Sequence, residues 1–183
     1  MQCADSFATN LAAVVLQPLD ACDSVRLARW RADPALAAQL LRTPSAGGPA
    51  EARHWIDACI RDRDQYTMGI RALCDRRSQL VGIARLMFID HRAGTAELGI
   101  YIGDESSRGR GVGRLALGQL LDHGYGTLGL QKIYLRVAAD NVVAIKLYQQ
   151  AGFSVEGRLH DHIRRDSQYV DLLYMAKFGR GSV

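Results

Sequence analysis

Three glycines alternate within five residues near the middle of the chain, between a strand pattern and a helix pattern. The stretch Arg108-Gly109-Arg110-Gly111-Val112-Gly113-Arg114 follows the alternating residues 96–102 and precedes a helical spacing over 117–128. The first amides of a helix have no intrahelical acceptor, and the peptide dipoles favour an anion there. Glycines let the backbone approach a phosphate, and arginines add positive charge. The turn therefore predicts a pyrophosphate site, in which Gly109 fits without being required.

Two common phosphate motifs do not match this turn. A Walker loop requires Gly-Lys-Ser/Thr after its second glycine, and the turn lacks that sequence. A dinucleotide-binding fingerprint requires a glycine where Arg114 stands, and it opens a chain, whereas this turn follows a hairpin region. The remaining alternative is a glycine-rich turn whose arginines lie at the surface without binding a ligand.

The composition is that of a globular domain: the chain has 183 residues, of which 48% are hydrophobic and 23% charged. The net charge of +4 permits an anionic ligand and does not require nucleic acid. No apolar run reaches the ~18 residues of a membrane span. We expect one domain over residues 1–183, with flexible ends at 1–12 and 179–183.

The cysteines are scattered along the chain at Cys3, Cys22, Cys59 and Cys74. None forms a CxxC pair, so a zinc site is not indicated and reduced thiols in the cytoplasm are expected. The start lacks the basic and long apolar regions of a secretory signal, which also favours the cytoplasm. His160 and His162 share a strand face by spacing, but no further ligand is near, so we expect no metal.

The spacing of apolar residues changes from helical to alternating at Tyr66. Before it, a short strand at 14–19 precedes helical spacings at 21–32, 34–41 and 50–63. After it, strands are predicted at 66–73 and 80–89, joined by a turn at 75–78, and then at 96–102, 132–137, 154–159 and 169–178. A helix follows the glycine turn and another spans 141–151. This order predicts a mixed sheet covered by helices, of the α/β or α+β class.

The stretch from Glu97 to Phe153 resembles the GCN5-related N-acetyltransferase (GNAT) family. Arg108, Gly111 and Gly113 match its acetyl-CoA loop, Gln/Arg-x-x-Gly-x-Gly/Ala. Further along, Asn141-x-x-Ala144-x-x-Leu147-Tyr148-x-x-x-Gly152-Phe153 matches its second signature. The segments 30–34 and 156–171 resemble the branch that acetylates ribosomal-protein N-termini and amino-sugar nucleotides. The resemblance implies a mostly antiparallel sheet of about six to seven strands, splayed at the cofactor site and flanked by about four helices.

The resemblance also implies a reaction and a set of site residues. An acetyl group passes from acetyl-CoA to a primary amine by direct attack, and CoA is released. The pyrophosphate binds the amides of residues 109–114, and the pantetheine arm pairs with the backbone of Tyr101, Ile102 and Gly103, which also polarises the thioester. Asn141 binds the pantetheine, and Tyr148 donates a proton to the sulfur. The simpler alternatives are a helix N-cap for Asn141 and a core aromatic for Tyr148.

The general base is harder to predict. Some relatives carry a glutamate on the strand before the second signature, but this chain has Leu135-Arg136-Val137 there. Glu97 is the remaining candidate, on the face of its strand opposite Leu98 and Ile100, acting through a water molecule. A surface or salt-bridged glutamate is the alternative.

Three acceptors remain open. A protein N-terminus needs an open groove, and an amino-sugar nucleotide needs a second diphosphate pocket, to which Arg164 and Arg165 can supply charge. A polyamine needs acidic residues, of which Asp57, Asp62 and Asp64 are a weak indication. We favour the first two, in a monomer or homodimer without nucleic acid or membrane partners. A non-catalytic module that senses acyl-CoA or binds RNA is the competing function.

Overall fold

The computed structural model describes residues 13–74, 77–165 and 167–179. The expected flexible ends therefore lie outside the described residues, apart from Gly179, whose amide donates to the Gln131 carbonyl at 2.8 Å. The strands are β1 (Ala13–Gln17), β2 (Tyr66–Cys74), β3 (Arg77–Asp90), β4 (Thr95–Ile102), β5 (Lys132–Ala138), β6 (Ser154–Arg165) and β7 (Gln168–Phe178). The α-helices are α1 (Ser24–Ala32), α2 (Pro34–Gln39), α3 (Gly48–Arg61), α4 (Val112–Asp122) and α5 (Val142–Gln150).

The strands form one sheet in the order β1-β2-β3-β4-β5-β7-β6. Every neighbouring pair is antiparallel except β4 and β5, which run parallel. That parallel pairing covers only residues 95–97 of β4 and 132–134 of β5. Beyond Glu97, β4 continues to Ile102 without a partner on this side, and the sheet opens. The predicted fold class, including the splay, is confirmed.

The helices before β2 follow local capping signals. The Asp33 carboxylate accepts the amides of Ala35 and Leu36, at 2.9 and 3.2 Å, and thereby caps α2. Pro34 occupies the first turn of that helix, where its missing N–H has no cost. Asp33 thus separates α1 from α2, which gives five α-helices in the described residues where the resemblance implied about four.

Side chains on the two faces of the sheet enter two different hydrophobic clusters. Leu98, Ile100 and Ile102 of β4 pack in the cluster that includes α4 and α5. Tyr101 packs instead with Trp30 of α1 and Ile83 of β3 in the cluster under α1 and α3. Alternation along a strand explains this division. The faces are called the α4–α5 face and the α1–α3 face below.

The bounds of α4 and β6 differ from those that their sequence patterns indicated. Helix α4 begins at Val112, directly after the glycine turn, and β6 extends to Arg165 instead of ending at 159. In β6 a bulge shifts the register between Leu159 and Ile163, with Asp161 at a φ of 52°. The bulge breaks the alternation by which a strand is read from sequence. Of the described helices, none has the length and apolarity to span a bilayer.

Candidate active site

The glycine turn adopts the conformation for which its glycines are suited. Gly109 and Gly111 have φ values of 72° and 79°, in the left-handed region that disfavours residues with a Cβ. The carbonyl of Gly111 accepts the Leu115 amide at 3.1 Å, the first hydrogen bond of α4. The amides of residues 112–114 precede that bond and lack an intrahelical acceptor. They form the anion-binding end of the helix.

The first turn of α4 meets α5 and the unpaired end of β4 at Gly113. A Cβ at this position would lie 3.7 Å from Leu147 Cδ2 and 3.9 Å from Ile102 Cγ1. These distances correspond to ordinary van der Waals contact. The anion-binding end of α4 is therefore adjacent to the opening between β4 and β5.

The hydrogen-bond phase of β4 decides which backbone groups face this opening. The Gly103 amide donates to the Val81 carbonyl at 2.9 Å, so the backbone groups of Gly103 and Tyr101 point toward β3. Those of Ile100 and Ile102 then point toward the opening. Of the three residues predicted to pair with pantetheine, Ile102 offers its amide there and Gly103 does not. Ile100 was missed because sequence alone does not give the hydrogen-bond phase.

Arg108 braces the turn between β4 and α4. Its Nε donates to the Ile102 carbonyl at 3.0 Å and its Nη2 to the Gly103 carbonyl at 3.4 Å. Its Nη1 also lies 3.7 Å from a carboxylate oxygen of Glu105. The structure therefore places this guanidinium against the end of β4 and not against the first amides of α4. Arg110 and Arg114 are exposed.

The two residues of the second signature lie on α5. The Asn141 side-chain oxygen accepts the Ala144 amide at 3.2 Å and caps the helix, as the simpler alternative expects. Tyr148 is 7% exposed, and its ring centroid lies 5.8 Å from that of Phe153. Burial raises the pKa of Tyr148 to about 12. Its hydroxyl makes no hydrogen bond within the described residues, which leaves it available as a donor to a ligand.

Glu97 forms an ion pair with Arg136 of β5. The two residues are joined at 2.9 Å, from Arg136 Nε to Glu97 Oε1, on the α1–α3 face. Glu97 is nearly buried, whereas 44% of the Arg136 side chain is exposed. Tyr148 lies on the opposite face. The two predicted catalytic residues therefore flank the opening from opposite sides of the sheet.

Aromatic and cationic side chains that the sequence did not reveal as a site meet on the α1–α3 face. The rings of Trp30 and Tyr101 contact edge to face, with centroids 6.1 Å apart. The Trp55 ring lies 5.2 Å from the Arg31 guanidinium carbon and 5.3 Å from that of Arg85. A sequence signal existed for Arg85, because this charged residue interrupts the apolar positions of a buried strand.

The remaining candidate residues are engaged elsewhere. His160 Nδ1 lies 3.3 Å from a carboxylate oxygen of Asp171. In the part of the chain that the structure describes, no three histidine, cysteine or acidic side chains are grouped to hold a metal ion. Asp62 accepts the Asp64 amide at 2.9 Å, and Asp57 lies 3.6 Å from Arg53.

A comparison with protein-family models matches residues 13–154 to the acetyltransferase (GNAT) domain. The chain belongs to the GNAT acetyltransferase family. It is accordingly an acetyl-CoA-dependent N-acetyltransferase, and acetyl-CoA is its cofactor. The branch that the sequence resembles stays a prediction.

Curated relatives of this GNAT domain include two spermidine N(1)-acetyltransferases. The chain is 32% identical to the Escherichia coli K12 enzyme over 136 residues, which cover 69% of this chain and 73% of that enzyme. It is 35% identical to the Vibrio cholerae enzyme over 101 residues, which cover 55% of this chain and 58% of that enzyme. The chain thus spans less than two thirds of the length of the second relative.

A solved structure has the same fold. It is a spermidine N-acetyltransferase from Vibrio cholerae in complex with CoA and spermine, with a TM-score of 0.82 and 24% identity. The similarity covers 90% of this chain and 95% of that one. At this identity the likeness concerns the fold alone.

Proposed function

We propose that this chain transfers the acetyl group of acetyl-CoA to a primary amine by direct attack in a ternary complex. The observation that carries the proposal is the opening between β4 and β5, next to the unpaired amides of α4. An anion-binding helix end beside an open strand edge suits a cofactor that has a pyrophosphate and an amide-rich arm. Neither feature stabilises the sheet of a protein that binds no ligand.

The cofactor lies on the α4–α5 face in this proposal. Its pyrophosphate binds the amides of residues 109–114, with Arg110 and Arg114 nearby. A groove of about 790 Å³ runs from Arg114 along α4 to Lys177 and offers room for the adenosine end. The pantetheine arm passes Asn141 and pairs with the free backbone groups of β4. The Ile102 amide, or that of Ile100, then polarises the thioester carbonyl.

The amine approaches from the α1–α3 face, because α4, α5 and the cofactor occupy the other. Glu97 removes a proton from the ammonium through a water molecule. The neutral amine attacks the thioester carbon, and an oxyanion forms and then collapses. The C–S bond breaks, and the sulfur leaves as a thiolate toward Tyr148. The nitrogen of the intermediate gives its second proton to water, and the thiolate takes up a proton from water, so the products are the amide, the CoA thiol and the proton held by Glu97.

The identity of the acceptor is a separate question. The spermidine acetyltransferases named above favour a polyamine, while the sequence resemblance favours an amino-sugar nucleotide or a protein N-terminal amine. All contain a primary amine, so the reaction is the same for each. A panel of amines with acetyl-CoA, followed by thiol release, separates them. A sensor or RNA-binding module would release no CoA with any amine.

The cofactor site is tested by placing a carboxylate beside the amides of α4. Gly113→Asp should weaken acetyl-CoA binding at least about tenfold, because a fixed negative charge competes with the pyrophosphate. The substitution should leave the fold intact, since an aspartate in the first turn favours a helix. Ala50→Asp puts the same charge in the first turn of α3, and its affinity should equal that of the wild type. Equal affinities for all three proteins in isothermal titration would contradict the placement.

A further inference from the structure

Three arginines lie close to Tyr101 on the α1–α3 face. The Tyr101 ring contacts Trp30, whose carbonyl accepts Arg42 Nη2 at 3.2 Å, and the guanidinium groups of Arg31 and Arg85 lie over the Trp55 ring of the same hydrophobic cluster. Burial raises the pKa of Tyr101 to about 12, and the charges of the three arginines act against that rise. We name Arg31, Arg42 and Arg85 the arginine cluster. The Tyr101 hydroxyl itself makes no hydrogen bond within the described residues.

Two members of the cluster form no ion pair with any residue that the structure describes. Arg31 forms an ion pair with Glu51 at 3.0 Å. Arg42 donates only to the carbonyls of Trp30 and Arg31, at 3.2 and 3.5 Å. Burial lowers the pKa of Arg42, which reflects the cost of holding this charge away from water. Within the described residues no carboxylate forms an ion pair with Arg42, and the charge of Asp33 acts on it only from further away.

Arg85 is the second arginine without an ion pair within the described residues. Its Nε donates to Thr67 Oγ1 at 3.0 Å and its Nη2 to Gln65 Oε1, and its remaining close contacts are Cys59 Sγ and the Trp55 ring. All four partners are neutral. Burial lowers the pKa of Arg85 as well. A second guanidinium is therefore kept partly buried in the acceptor region without an ion pair among the described residues, and the charge of Asp62 acts on it only from further away.

The cluster lies directly beside the reacting centre of the proposed function. Tyr101 stands between Ile100 and Ile102, whose backbone groups face the opening of the sheet. Its partner on β3 is Ile83, and Arg85 pairs with Gly99, two residues further along the same strands. An amine that reaches the opening from this face would place its other end against the cluster.

The hairpin of β6 and β7 brings another guanidinium to the same side. Arg165 reaches α2, where its Nη2 lies 3.5 Å from the Ala38 carbonyl, and it pairs with Asp140. The Arg42 amide bonds to the adjacent carbonyl of Ala37 at 3.0 Å. The Nε of Arg165 is buried and has no acceptor within the described residues.

Carboxylates that a polyamine would need are already engaged here. Glu51 binds Arg31. Asp33 caps α2 with its side-chain oxygen. A polycation entering this face would meet guanidinium groups that form no ion pair within the described residues, and these carboxylates already have partners.

We infer that the acceptor is a primary amine that also carries a carboxylate or phosphate group, and that Arg42, Arg85 and the Tyr101 hydroxyl bind this oxyanion. Guanidinium groups match the geometry of both oxyanions through paired N–H donors. The inference rests on the proposed function, because it concerns the second substrate of that reaction.

The first experiment compares amines by thiol release with acetyl-CoA. The panel contains L-amino acids, amino-sugar phosphates, an amino-sugar nucleoside diphosphate, an uncharged amino sugar and spermidine. The highest kcat/KM should belong to an amine with an oxyanion, and the amino-acid and phosphate arms separate the two sources of that group. Salt should raise the KM of that amine, since screening weakens the charge contact.

The second experiment removes one charge from the cluster. Arg42→Gln should raise the KM of the preferred amine about tenfold to a hundredfold, the effect of one charge-assisted hydrogen bond, and leave kcat within about twofold. Arg42→Lys should restore part of the affinity because it keeps the charge. Arg53→Gln is the matched control, since Arg53 is a half-exposed arginine of α3 paired with Asp57. Its KM should equal that of the wild type.

Failure of the proposed function can be distinguished from failure of the inference about the acceptor. If acetyl-CoA does not bind and no amine releases CoA, the proposed function fails and the inference fails with it. If acetyl-CoA binds but spermidine or the uncharged amine is preferred, or no anionic amine is acetylated, only the inference is overturned. An equal effect of Arg42→Gln on every amine would overturn it as well.

Discussion

Replacing Tyr148 with Phe removes one hydroxyl from a buried position of α5 and keeps the ring. The ring packs against Phe153, and the side chain is 7% exposed. The hydroxyl has no hydrogen-bond partner within the described residues, so no acceptor of the fold is left unsatisfied. We therefore expect the free energy of unfolding to change by no more than about 0.5 kcal/mol. A large decrease in turnover would then reflect a role of the hydroxyl in the reaction and not a loss of stability.

The size of that effect follows from the pKa of the phenol. Burial raises the pKa of Tyr148 to about 12, and a thiol ionises near 8.5. Full transfer of the proton to the leaving thiolate is then uphill by roughly 5 kcal/mol in the free enzyme. A hydrogen bond to the developing sulfur charge needs no such transfer and contributes about 1.5–3 kcal/mol. Tyr148→Phe should thus lower kcat about tenfold to 150-fold, with the final proton supplied by solvent.

The assay measures thiol release at saturating amine, with acetyl-CoA affinity from isothermal titration. The affinity should stay within about twofold of the wild type, because the hydroxyl acts on the leaving sulfur. The high pKa also keeps the phenol protonated, so the wild-type kcat should show no alkaline decline attributable to Tyr148 below pH 10. A kcat unchanged by the substitution would refute the contact with sulfur. A wild-type decline between pH 8 and 10 that Tyr148→Phe abolishes would refute the argument from the pKa.

Two further predictions concern the glycine turn and the base. Gly111→Ala should destabilise the fold by about 1–2 kcal/mol, because its φ is 79°, whereas Gly113→Ala should stabilise it by about 0.5–1 kcal/mol inside α4; urea unfolding that gives the two variants the same sign would contradict the described turn. Glu97→Gln should lower kcat/KM about a hundredfold with acetyl-CoA affinity unchanged, if the carboxylate is the general base; normal turnover would leave Glu97 with only its ion pair to Arg136.

Much of the cofactor side could be predicted because the groups that bind the cofactor there belong to the backbone. Amides at a helix end need glycines at fixed positions, and Gly111 and Gly113 therefore appear as a motif in the sequence. The same reasoning placed the strand before the turn and the helix after it. The sequence did not show the hydrogen-bond phase of β4. Because of that phase, the backbone of Ile100 faces the opening, whereas the backbone of the predicted Gly103 faces β3. Phase depends on the pairing with β3 and leaves no trace in residue types.

The acceptor side could not be predicted because its side chains come from separate parts of the chain. Arg31 and Arg42 lie between β1 and β2, Arg85 lies on β3, and Arg165 lies on the last hairpin. No fixed spacing connects them, and each alone is an ordinary surface or strand arginine. The oxygens of Asp62, one of the acidic residues noted for a polyamine, accept the Asp64 amide and the Gln65 side chain, 2.9 and 2.8 Å away.

The geometry of β4 explains why the residues of the cofactor side and those of the acceptor side can change independently. Its backbone bonds to β3 on one edge and faces the opening on the other, while Ile100 and Ile102 point toward α5 and Tyr101 points toward α1. A change of side chain on the α1–α3 face alters what the second substrate meets without disturbing either the sheet hydrogen bonds or the helix amides that hold the cofactor. Similarity to spermidine acetyltransferases is therefore a better guide to the cofactor than to the acceptor. The acceptor depends on the charges around Tyr101, and in this chain those charges are arginines.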